Sequence, residues 1–171
     1  AEVDAADAEG RRPMHLAAAA AAALRADGDD GSIRAAARRE IVEALLRHGA
    51  DSEASDSSGR TPAELCSASP RIVALLCEPS LVLVSSARRA NRLYRLGDFG
   101  AASEAYERAI HVASSDASLC HPADLATLHF NCARALLKLA CVVAALHQIE
   151  SAIALRPEYV NARSLQAECH M

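Results

Sequence analysis

Tryptophan is absent from this 171-residue chain, and three tyrosines and two phenylalanines bring the aromatic content to only 3%. A surface for stacking nucleobases, or a β-sandwich core built on rings, has almost nothing to draw on. Lysine occurs once, at Lys138, and the net charge is −4. With no basic tract, nucleic acid is not an expected partner. The doublets Arg11-Arg12, Arg38-Arg39 and Arg88-Arg89 read as solvated helix faces. The longest apolar run, Leu16 to Leu24, has nine residues, mostly alanine. Crossing a bilayer takes roughly 20, so no membrane role is expected. Nor does a charged segment followed by a cleavable apolar stretch open the chain, and the expectation is a cytoplasmic, or else nuclear, setting.

The chemistry of catalysis and metal binding is equally thin. No Gly-rich phosphate loop, nucleophile elbow or paired carboxylates at a strand end occurs. The seven histidines form no helical metal pair with an acidic partner, and the neighbours Cys120-His121 and Cys169-His170 point apart on a helix. The cluster Asp27 to Ser32 has Gly31 where a calcium ligand should stand and no glutamate downstream, so it reads as an exposed loop. Six cysteines show no CxxC pair and are expected to be reduced, buried small apolar residues. The chain is thus expected not to be an enzyme and to carry no cofactor and no metal.

What is present is alanine, leucine and repetition. The stretch LGDFGAASEAYERAI, Leu96 to Ile110, recurs 43 positions later as LACVVAALHQIESAI, Leu139 to Ile153. Phe99, Ala102, Tyr106, Ala109 and Ile110 match Val142, Ala145, Ile149, Ala152 and Ile153 at helical three-and-four spacing. The match extends back to Ala90 and Ala133, Leu93 and Leu136, so the unit is helix, turn, helix, used twice. One such hairpin cannot bury Phe99 and Tyr106 alone, and the units must stack. Pro122 predicts the start of a helix running to about Leu139, and a fifth helix is expected from Glu158 to Met171.

Residues 1–79 carry another repeat. GRRPMHL, Gly10 to Leu16, returns as GRTPAEL, Gly59 to Leu65, each followed by an apolar helix, Glu40 to Leu46 and Arg71 to Leu76. Proline can open a helix without losing a hydrogen bond, Gly49 can end one, and Thr61 can cap one. Pro13 and Pro62 are 49 residues apart. The surplus is placed at about Ala20 to Arg39, with Ala17 to Ala23 lengthening the first helix.

Two resemblances follow from these residues. Gly97, Phe99, Ala102, Tyr106, Ala109 and Pro157 fit the signature of the tetratricopeptide repeat. GRRPMHL, Glu40 to Leu46 and Gly49-Ala50-Asp51 resemble the ankyrin repeat, from which Arg12, Ala63 and Glu64 depart; the second copy looks like a terminal unit. The resemblances imply an all-α, helical-hairpin solenoid, with an ankyrin block of about two repeats over 1–79. A tetratricopeptide block over 80–171 would add two repeats and a fifth helix. The short linker predicts that the helix Leu81 to Leu96 joins both blocks in one continuous solenoid.

In tetratricopeptide proteins the first helix of each hairpin lines a concave groove for peptides. The resemblance places Asn91, Arg95, Asn131, Arg134 and Lys138 in that groove, beside Tyr94 and Phe130. In the co-chaperone class, two asparagines join two lysines and an arginine to clamp the terminal carboxylate of a chaperone tail. Asn91 and Asn131 match, while Ala87, Asn161 and Leu165 stand where the cations would. The tail from Tyr159 to Met171 resembles the third repeat of DnaJ-associated tetratricopeptide proteins. The expected function is a non-catalytic interaction module or scaffold, co-chaperone-like, with a protein or peptide partner such as a chaperone C-terminal tail. The alternatives are a targeting or regulatory segment of a larger enzyme, and a structural assembly subunit binding through its ankyrin face.

Overall fold

A computed structural model describes residues 3–23 and 29–169, with backbone alone for 29–34. Among the described residues every regular element is a helix and none is a strand. The chain divides into two compact units, Ala1–Ser85 and Ser86–Met171.

The first unit holds α1 (Pro13–Ala22), α2 (Asp29–Arg47), α3 (Pro62–Leu65), α4 (Pro70–Leu76) and the opening turns of α5 (Pro79–Leu96). Two turns of the same construction precede α1 and α3. In the first, the Asp7 carboxylate accepts the main-chain N–H groups of Glu9 and Arg11 and the side-chain Nε–H of Arg11. In the second, Asp56 does the same for Ser58, Arg60 and the Arg60 guanidinium. Gly10 and Gly59 close them at φ +72° and +77°. The Asp56 carboxyl is held below the usual carboxylate range, first by the Arg60 N–H. The repeat therefore begins at Asp7 and Asp56, three residues before the copies legible in the sequence.

Each turn leads into a proline at the first helical position, with the next cap built three residues on. His15 Nδ1 accepts the Arg12 N–H at 3.1 Å. In α3, Thr61 Oγ1 accepts from the Glu64 N–H, and Glu64 Oε2 accepts from the Thr61 N–H at 2.7 Å, a reciprocal capping box. α1 packs on α2 and α3, and α2 on α4. Met14, Ala18, Val42, Leu46, Cys66, Ile72 and Leu76 form the core between them. Asp29 to Ser32 lie within α2, in a helix and not in the expected loop. The alanines that follow are strong helix formers. Asp27 and Gly28 lie outside the described residues.

The second unit continues α5 and adds α6 (Phe99–Ser115), α7 (Pro122–Lys138), α8 (Val142–Leu155) and α9 (Val160–Cys169), each of the last three packed on its predecessor. Ala90, Ala133, Ala102, Ala145, Ala109 and Ala152 are all fully buried, so the alanines that repeat in sequence are core positions. The two hairpin turns share one geometry. Gly97 has φ +86° and Ala140 φ +58°. The N–H groups of Asp98 and Cys141 bond back to the carbonyls of Leu93 and Leu136 at 3.1 and 2.9 Å. Asp98 Oδ1 caps α6 by accepting the Ala101 N–H, while Cys141 gives α8 no side-chain cap. α7 and α8 are cross-linked by His129 Nδ1 and Gln148 Oε1, 2.6 Å apart.

All six cysteines are free. Only Cys66 and Cys132 are buried as expected; Cys77 and Cys141 are exposed, because they fall at helix ends, outside the alanine-lined interfaces. Burial pushes the Cys132 thiol up to about 12. No single described helix is long and apolar enough to cross a membrane.

Candidate functional site

Asn91, Tyr94 and Arg95 stand three and four residues apart on α5 and so share one face. Asn131 and Arg134 do the same on α7. Together with Tyr106 of α6 they line a cavity of about 390 Å³. No acidic side chain is in that lining, and two guanidiniums are.

The floor is polar despite its depth. Tyr106 is 2% exposed, and its hydroxyl donates to Asn91 Oδ1 at 2.6 Å. Burial pushes the phenol up to about 12, outweighing the opposing pull of Arg134, so the hydroxyl keeps its proton through the neutral range. On the next turn Arg95 Nε donates to the Asn91 main-chain carbonyl at 3.2 Å, which anchors the stem of that side chain. No hydrogen bond ties the Asn131 carboxamide to another described residue.

Arg134 lies over the Tyr94 ring at 5.1 Å and over Phe130 at 6.0 Å. Contacts of this kind hold a guanidinium by its faces and leave its N–H edge for an acceptor. The run extends both ways: Tyr94 meets Phe99 edge-on at 5.3 Å, Phe130 meets Tyr159 at 5.1 Å, and Arg156 covers Tyr159 at 5.1 Å. Four of the five aromatic rings of the whole chain belong to this run, and the fifth, Tyr106, lines the cavity beside it.

Of the five residues singled out in the sequence, Asn91, Arg95, Asn131 and Arg134 meet at this cavity. Lys138, exposed at the last residue of α7, does not. The repeat register explains the difference. At the 43-residue offset, Asn131 and Arg134 correspond to Arg88 and Asn91, so α7 contributes positions one turn earlier than α5, and Lys138, the counterpart of Arg95, lies beyond the cavity. Among the positions of the missing cations, Asn161 is exposed and Leu165 packs against the core. Tyr106 reads from sequence as core bulk alone; the signal for more was a tyrosine, and not phenylalanine, at a buried repeat position, since a buried hydroxyl needs a partner.

Comparison with family models, with curated proteins and with solved structures finds no match to the chain.

Proposed function

We propose that the chain is a non-catalytic protein-interaction module of the ankyrin and tetratricopeptide kind, an adaptor whose second unit binds an acidic peptide segment or a C-terminal carboxylate. The observation that carries this reading is the cavity between α5, α6 and α7, lined by two arginines, two asparagines and two tyrosines and by no acid. Turns that share their main hydrogen bonds at offsets of 43 and 49 residues support the two repeat types. Asn91 and Asn131 face the same space, as in the co-chaperone class. Positive charge comes from Arg95 and Arg134 in place of the cations absent at Ala87, Asn161 and Leu165. A chaperone C-terminal tail is accordingly the first partner to try.

Titration of labelled chaperone-tail peptides into the full chain, read by fluorescence anisotropy, tests this. Each hydrogen bond to a charged group contributes about 1.5–3 kcal/mol, so an Asn131→Ala, Arg134→Ala double variant should bind at least roughly tenfold more weakly. Equal binding by the variant would remove the cavity from the reading.

A further inference from the structure

Building on the peptide-binding reading, we infer that Tyr106 is a positioning residue that sets the polarity of the cavity, latching the Asn91 carboxamide so that it presents only donors to a bound group. The 2.6 Å separation between the Tyr106 hydroxyl and Asn91 Oδ1 identifies the atom. It falls within the range of O–H···O bonds and short of the usual N–H···O range of about 2.9–3.0 Å, so the carboxamide oxygen faces the phenol. The Asn91 NH₂ is then turned away from Tyr106. The Asn91 main-chain carbonyl is also occupied, by Arg95 Nε. Arg95 and Arg134 have no acceptor atoms at all. N–H groups from α5 and α7 therefore line one cavity, and of its two carboxamide oxygens one, Asn91 Oδ1, is held by a buried hydroxyl.

Such a site favours a carboxylate, which only accepts, over the carboxamide of the same shape, which brings two N–H groups needing acceptors. Removing the Tyr106 hydroxyl frees Asn91 to rotate its oxygen toward the cavity. Tyr106→Phe should then lose discrimination more than affinity, because the neutral ligand gains an acceptor as the anion loses a donor. A residue that merely fills the core would change both ligands alike.

The probes are a labelled glutamate-rich hexapeptide with a free C-terminus and its C-terminal amide, titrated into the full chain and into Tyr106→Phe, whose ring keeps the packing. The wild type should prefer the free carboxylate, and Tyr106→Phe should reduce that preference about tenfold with an unchanged far-UV circular dichroism spectrum. An undiminished preference in Tyr106→Phe overturns the latch and leaves the peptide reading standing. Loss of both peptides in equal proportion also overturns it, as does a destabilised variant whose Asn91→Ala counterpart keeps the full preference. Absence of binding to either peptide by the wild type overturns the peptide reading and the latch together.

Discussion

The imidazole of His15 joins its own turn to a main-chain carbonyl 45 residues further on: Nδ1 accepts the Arg12 N–H while Nε2 lies 3.2 Å from the Arg60 carbonyl. Glu64, at the same place in the second copy, serves only its own helix by accepting the Thr61 N–H. One residue ties a turn to the next repeat; its counterpart ties only the turn it belongs to.

His15→Ala should therefore cost about 2 kcal/mol, since a fully buried side chain is removed and two main-chain groups lose their partner. Glu64→Ala should cost about 1 kcal/mol or less, the worth of a capping interaction near the surface. Urea denaturation followed by far-UV circular dichroism gives both numbers, and equal losses would mean that the bond to Arg60 contributes nothing.

Ala140 holds the left-handed conformation that glycine holds at position 97. A side chain there costs about 1–2 kcal/mol, partly offset by the extra freedom that glycine has when unfolded. Ala140→Gly should raise stability by roughly 0.5–1 kcal/mol, and Cys141→Asp, which copies the cap of Asp98, by about 1 kcal/mol. Gly97→Ala should do the reverse through backbone strain alone, because nothing lies within 4 Å of the added carbon. Thermal melting decides it; a fall in the midpoint for Ala140→Gly would show that the second turn has relaxed around its alanine.

Burial lowers the pKa of His129, with the bond to Gln148 acting against it. The folded state then binds the proton less readily than the unfolded chain, whose histidine titrates at about 6.5. The contribution is complete above that value and is lost as pH falls from there through the lower folded value. Stability measured from pH 7.5 to 5 should decline more steeply for the wild type than for His129→Gln. Parallel curves would place the pH dependence elsewhere.

Where the sequence repeats a steric requirement, it could be read almost to the residue. Pro122 opens α7, the buried alanines recur at their offset, and helix ends at Gly49 and Gly97 take positive φ. Hydrogen bonds were harder to see. The Asp7 and Asp56 turns lie outside any apolar periodicity, and an Asp-Gly cluster such as Asp29 to Ser32 has the composition of a loop even where a helix runs through it. At the site, spacing placed Asn91 and Arg95 on one face and Asn131 and Arg134 on another. The stagger between α5 and α7 that excludes Lys138 is a property of packing, and no single helix encodes it. The partnership of Tyr106 with Asn91 depends on a hydroxyl meeting a carboxamide across two helices, which helical periodicity does not report.

Because all the tyrosines are Tyr94, Tyr106 and Tyr159 and tryptophan is absent, the near-ultraviolet absorbance and intrinsic fluorescence of this protein originate almost wholly in the second unit. Two of the three emitters line the cavity and the third lies under Arg156. Unlabelled tyrosine emission thus reports on the surroundings of the cavity and on melting of the second unit, while the first unit is optically silent and can be followed only through its peptide bonds.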